Sequence, residues 1–245
     1  MFRKLYHYYS NIFLKGFILS IYYRVLIKSF KLFGVFAKVS LSQYSEDVII
    51  GIILKGAKRK KGIFVDVGCN HPIGYNNTYL LYLQGRRGIN IDGNKNLMTL
   101  YDKYRKGDTN LNLLISNKEE EVVFNISDRD KLSTVEQDVV KVGGEKTFPD
   151  SLKVKMRTKT LDSVLEQHLK NDDVQIDLLC VDVEGHDFEV LSSINLDKWK
   201  PYLIVVEMQD FSLNYHANHR NYILLTEKGY RLEHFVLTSG YFVRN

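Results

Sequence analysis

Short apolar runs that end on a carboxylate recur along this 245-residue chain: Ile63-Phe-Val-Asp-Val67, Gly88-Ile-Asn-Ile-Asp92, Ile176 to Val181 running into Asp182, and Tyr202-Leu-Ile-Val-Val-Glu207. Each is short and bounded by turn residues, the pattern of a buried parallel strand. Between them, amphipathic stretches with end signals predict helices. One covers Tyr44 to Lys55, one runs to Gln84 with Asn76, Asn77 or Thr78 as cap and Gly85 as stop, and one lies near 95–105. Others reach His168 from a cap at Thr160 or Asp162, run from Asp187 to Leu196, and cover 218–228 before Gly229. A further strand falls near 110–115, and Tyr230 to Leu237 with Tyr241 to Val243, around Ser239-Gly240, reads as a hairpin. Strand and helix alternate, which predicts an α/β fold with helices on both faces of a parallel sheet. No period of 20 to 50 residues recurs, which excludes solenoids.

The rhythm breaks between residues 119 and 159. Glu121-Val-Val-Phe-Asn-Ile126 and the alternating Leu152-Lys-Val-Lys-Met-Arg157 look like strands around a polar, glycine-containing stretch. This is an insertion. It either shapes a pocket beside the sheet's ligand edge or is a loose surface excursion.

Charge changes the picture at the N-terminus. Residues 1–45 carry Arg3, Lys4, Lys15, Arg24, Lys28, Lys31 and Lys38 and no acid. Of the 34 Lys and Arg in the chain, 27 remain beyond this arm against 29 acidic residues, so the body is close to neutral. With no basic stripe and no RNA-module signature in that body, nucleic acid is not an expected partner. The division is an arm at 1–41, basic, aromatic-rich and helical, ahead of a domain at 42–245. The arm's uncharged runs, Gly16 to Tyr23 among them, are too short to cross a hydrocarbon layer of about 30 Å. Lys15 and Arg24 also interrupt the arm in a way a signal peptide does not. It can lie in the headgroup layer of an anionic membrane through residues 1–38, or pack on the domain or on a second copy to make a homo-oligomer. The two cysteines, Cys69 and Cys180, lack metal-ligand spacing and fit a reduced, cytoplasmic setting, peripheral to the inner face of the membrane if the arm binds there.

The chemistry concentrates where the strands end. Asp66 is followed by a Gly68/Asn70/Pro72 turn, and Asp92 closes the next strand at the place where nucleotide-binding α/β folds hold a ribose. Two such ends at this separation point to a nucleoside-containing cofactor. The turn lacks the Gly-x-Gly-x-x-Gly that brings backbone N–H groups onto a pyrophosphate, which argues against a dinucleotide. Asp182, Glu184 and His186 place three ionisable groups within five residues at a third strand end, and Glu207 closes a fourth.

Taken in order, Ser42-Gln43 with Glu46-Asp47, Phe64-Val-Asp-Val-Gly68 with Asn70 and Pro72, Asn77-Thr78, Gly88 to Asp92, Thr160-Leu-Asp162 and Asp182-Val-Glu-Gly185 make a set. That set resembles the FkbM family of S-adenosylmethionine-dependent methyltransferases over residues 42 to about 235. The resemblance implies a Rossmann-like class I methyltransferase sheet of order 3-2-1-4-5-7-6 with the last strand antiparallel. Asn70 and Pro72 stand where many methyltransferases carry glycine, a departure from the general pattern.

On that reading Asp66 attracts the methionine amine, Gly68 permits close approach and Asp92 accepts both ribose hydroxyls. Ser116 and Asn117 fall near the adenine, Asp182 closes the cofactor site, and Gln43, Glu46, Asn70 and Asn77 match family positions near cofactor or acceptor. Methyl transfer to an alcohol gains from a base. His186, poised by Glu184 or Asp182, His71 in the first turn, and Glu207 are the candidates. Asp182, Glu184 and Glu207 could instead hold magnesium through hard oxygen ligands, a less favoured reading, and no metal ligand is assigned. The expected activity is O-methylation of a sugar hydroxyl in a bacterial surface polysaccharide or lipid-linked glycan. The alternatives are methylation of a polyketide or small metabolite, and a non-catalytic membrane-associated scaffold of the same fold.

Overall fold

A computed structural model describes Val25 and residues 38–57, 62–126, 134–135, 152–169, 174–214 and 218–245. Nearly all of the predicted N-terminal arm, the Lys58–Lys61 cluster and most of the polar stretch before Pro149 lie outside the described residues. Helix α1 spans Glu46–Gly56, strand β1 Ile63–Val67, α2 Tyr79–Leu83, β2 Gly88–Asp92, α3 Lys95–Tyr104 and β3 Thr109–Asn112. Then follow β4 Leu114–Ile115, β5 Glu121–Ile126, β6 Thr134–Val135, β7 Leu152–Lys159 and α4 Leu161–His168. The second half holds β8 Ile176–Val181, α5 Asp187–Ser192, α6 Leu196–Trp199, β9 Leu203–Glu207, α7 Arg220–Glu227, β10 Tyr230–Val236 and β11 Ser239–Arg244.

Seven strands form the main sheet in the order β10-β11-β9-β8-β1-β2-β3, with β11 antiparallel to both neighbours. Numbered within that sheet alone, the order is the expected 3-2-1-4-5-7-6. The two central strands, β1 and β8, pair in parallel with Asp66 opposite Cys180, and β2 pairs on β1's other edge with Asp66 opposite Asn90. All six residues of β8 are buried, including Asp177, whose carboxylate pairs with Arg86 and accepts Gly62 N at 2.7 Å. Core residues on one face include Val65, Ile89, Leu161, Leu179 and Ile204, and on the other Ile50, Phe64, Leu178, Val205 and Tyr241.

Three predicted elements are divided or displaced. The strand expected over 110–115 is cut at Leu113: β3 stays in the main sheet, while Leu114 and Ile115 pair with Thr158 and Lys159 of β7. The helix expected from Asp187 to Leu196 stops at Ser192. The hydroxyl of Ser193 bonds the Val190 carbonyl and accepts from Leu161 N, and Asn195 then caps α6 through the N–H groups of Asp197 and Lys198. The terminal hairpin turns at Leu237-Thr238, with Leu237 left-handed at φ 55°, so Ser239 and Gly240 belong to β11 instead of the turn. The insertion is no loose excursion where it is described, for its strands make a small sheet of order β4-β7-β5-β6.

Candidate active site

Strand ends β1, β2, β8 and β9 open on one cleft of about 320 Å³, the carboxyl edge where open α/β sheets bind ligands. Its lining combines carboxylates, Asp66, Asp92, Asp182, Glu184 and Glu207, with an apolar set, Ile91, Leu97, Leu114, Ile115 and Phe124. Phe124 comes from the insertion, which thus shapes the cleft. A Cβ on Gly93 would meet Leu114 and Phe124 side chains at 2.5 and 2.7 Å, so any larger residue there would push both aside where the insertion packs over the end of β2.

The turn after β1 is set from both sides. Gly68 N and Cys69 N donate to the Ile91 carbonyl at 2.9 and 3.2 Å, and Asp182 N donates to the Val67 carbonyl at 3.0 Å. Gly68 is left-handed at φ 78°, and a Cβ there would fall 1.8 Å from the Asp182 carbonyl oxygen. Asn70, also left-handed, donates its N–H to Asp92 Oδ2 at 3.1 Å, and Asn94 N donates to Asp92 Oδ1 at 2.7 Å. Each Asp92 oxygen keeps a lone pair beyond these bonds, and the residue lines the cleft. Burial raises the Asp92 carboxyl above its ordinary range, opposed by those two N–H groups.

Asp66 lies deeper. Burial pushes its carboxyl up to about 6, against the Thr78 hydroxyl that donates to Oδ2 at 2.8 Å and the nearby Arg105 guanidinium. Arg105 is fully buried. It pairs with Asp108 at 2.9 Å and donates to the Pro72 carbonyl, Asn76 Oδ1 and Thr78 Oγ1 at 3.2, 3.3 and 3.2 Å. A buried cation thereby organises the whole 72–78 turn below the cleft. Nothing in the sequence pattern marked it, since an Arg after a helix reads as a solvated C-terminal charge.

The third strand end carries the densest charge. Asp182 is reached by water yet enclosed by protein and by Glu207, Glu184, Asp187 and Asp66. Enclosure first, and then those like charges, hold its carboxyl well above the usual range. Asp187 is buried and ties the turn down, accepting Val183 N and Gly185 N at 3.1 and 3.2 Å, with its carboxyl raised by burial to about 7. Glu184 at φ 54° and Gly185 at φ 95° give that turn its left-handed bend.

Of the two candidate histidines, only His186 lines the cleft. Its Nε2 is 3.0 Å from Ser116 Oγ, and Glu189 Oε2 is 3.7 Å from Nδ1. Burial lowers its pKa, with Glu189 acting in the opposite sense. The carboxylate set against its ring is therefore Glu189, in place of the expected Glu184 or Asp182, and the His-x-x-Glu spacing across one helical turn was the available signal. Ser116, expected near the adenine, is buried behind His186, and Asn117 is exposed and off the cleft wall. His71 is a correction too: its Nδ1 accepts Ile73 N and Gly74 N at 3.3 and 3.2 Å, so the ring caps a turn. Burial lowers its pKa to about 4, and it is absent from the cleft wall.

Gln43, Glu46 and Asn77 do reach the cleft. Buried Glu46 accepts Tyr44 N at 2.7 Å, and Asn77 Nδ2 lies 3.4 Å from Cys180 Sγ. Both cysteines are buried and free. Tyr44, Tyr75 and Thr238, in irregular turns, and Ser239, at the start of β11, complete the rim, none of them anticipated as site residues. Among the described residues no group of three or more His, Cys, Asp or Glu side chains is placed to hold a metal ion, and no helix is long and apolar enough to cross a membrane.

A sheet of this order, with acidic strand ends and a glycine-led turn on one cleft, is that of a Rossmann-like methyltransferase. The methyltransferase FkbM domain matches residues 66–232, from Asp66 into β10, and the chain belongs to that family. Among curated proteins and solved structures, nothing matches.

Proposed function

We propose that the chain is an S-adenosylmethionine-dependent O-methyltransferase acting on a sugar hydroxyl of a surface polysaccharide or lipid-linked glycan. The observation that carries this reading is the convergence of Asp66 and Asp92, from adjacent strands, on one cleft that His186 also lines. The residues fit the cofactor chemically: Asp92 offers free lone pairs to a ribose diol, the Ile91, Leu97 and Leu114 surface suits a flat ring, and the acidic wall suits a cationic methionine portion. When bound, S-adenosylmethionine supplies an electrophilic methyl group. The chain's own residues orient the acceptor oxygen in line, which is most of the catalysis such a transfer needs. His186, as a neutral imidazole, takes the hydroxyl proton. The glycan class follows from the family resemblance and the basic arm.

Calorimetry with S-adenosylmethionine tests the cofactor site. Two charge-assisted hydrogen bonds are at stake, so Asp92→Ala should weaken binding about 100-fold. Wild-type affinity in Asp92→Ala, or no binding by the unaltered chain, refutes the reading.

The same reading sets the enzyme in the cytoplasm with residues 1–38 against the inner face of an anionic membrane or against a second copy. Co-sedimentation with phosphatidylserine vesicles should fall as salt rises and disappear on removal of 1–38. Vesicle binding that ignores both salt and deletion rejects the membrane role, and an unchanged mass on deletion rejects the subunit role.

A further inference from the structure

Past Glu207 lies a second hollow of about 520 Å³, between the start of α5 and the N-terminus of α7, lined in part by Asp187, Glu207, Gln209, Asp210, His219 and Asn221. Glu207 faces both this hollow and the cleft. We infer that the hollow takes the body of the acceptor, an uncharged polyhydroxylated ring, while one of its hydroxyls reaches past Glu207 to the methyl-transfer cleft. This rests on the methyltransferase reading above.

Two unpartnered atoms identify the ligand's chemistry. Asn221 is 4% exposed, and its Oδ1 has no hydrogen-bond partner. His219 Nε2 faces the Gln209 carbonyl at 3.2 Å, an acceptor, so that nitrogen carries the proton and Nδ1 is left as a lone pair. Nδ1 is buried and also has no partner. An orphaned buried acceptor is destabilising, and a ligand donor removes that cost. Both atoms therefore call for O–H or N–H donors. The beginning of α7 asks for the opposite: no side chain caps it, so its first backbone N–H groups call for acceptors. A hydroxyl is donor and acceptor at once and meets both demands, whereas an ammonium group offers donors alone.

Charge narrows the class further. Glu207 and Asp210 repel phosphate, sulfate or carboxylate groups. Among the described residues the one cation there, Arg220, is committed elsewhere, bonding Glu189 at 3.2 Å and lying 3.7 Å over the Phe188 ring. Asn, Gln, His and carboxylate side chains around a neutral ring are the donors and acceptors that read hydroxyl stereochemistry.

Saturation-transfer NMR on the full chain loaded with S-adenosylhomocysteine provides the test, using the methyl glycosides of glucose, galactose, mannose, rhamnose and N-acetylglucosamine. At least one should receive saturation, and Asn221→Leu should abolish it while leaving affinity for S-adenosylhomocysteine within about twofold. Gln209→Ala, a change at an exposed position that does not threaten folding, should at least halve it. Absence of transfer to all five sugars, or transfer that survives both substitutions, overturns the inference. If S-adenosylhomocysteine itself does not bind, the reading of the cleft has failed. The sugars are then applied to the unloaded chain, where sensitivity to Asn221→Leu still decides the hollow.

Discussion

His186 is the residue on which the chemistry turns. Its imidazole is held between Ser116 and Glu189, with Arg220 in turn bonded to Glu189. Removal of a general base costs about 100-fold or more in turnover, so His186→Ala should lower kcat by that factor and leave S-adenosylmethionine affinity unchanged. Because burial depresses the imidazole's pKa, it is neutral and able to accept a proton across the neutral range. The acid limb of kcat/KM should accordingly fall below the ordinary histidine value of about 6.5. A pH–rate profile of wild type against His186→Ala checks this, and a limb that persists in the variant assigns the proton to another group, with Glu207 next in place. The residue pattern disclosed Asp66, Asp92, Asp182 and Glu207 because strand ends are readable from apolar runs. It could not tell His186 from His71, since both follow strands and only packing decides which ring turns outward.

At the scale of elements, β1, β2 and β9 were legible almost to the residue, because burial on both faces leaves little ambiguity. What was not legible depended on partners distant in sequence. The split of β3 from β4 follows from pairing with β7, and the break between α5 and α6 from a serine hydroxyl bonded to Leu161. Gly68 carries the turn between β1 and the cleft, with no room beside the Asp182 carbonyl. Gly68→Ala combines a left-handed backbone penalty with that clash and should cost about 3 kcal/mol or more, lowering Tm on the order of 10 °C. Thermal denaturation measures it. A Tm within about 2 °C of wild type would mean that the two turns yield easily, and that the close approach is not a constraint on the site.

Across the whole molecule, the fold class, sheet order and family were accessible from the sequence because each motif recurs in its proper order along the chain, and residues 66–232 bear this out. The second hollow was not, because its orphaned acceptors are defined by what fails to touch them, and no spacing encodes that. One feature of the topology governs how the protein comes into being. β8 is hydrogen-bonded to β1, yet everything from α2 through α4 is synthesised between them. On the ribosome, therefore, the N-terminal strands leave the tunnel long before the partner that completes their middle. A nascent chain halted ahead of Ile176 has Asp66, Asp92 and the apolar lining from Ile91 to Phe124 but lacks Asp182, Glu184 and His186, so the cleft is completed only when β8 and the turn after it join a sheet whose other half is already made.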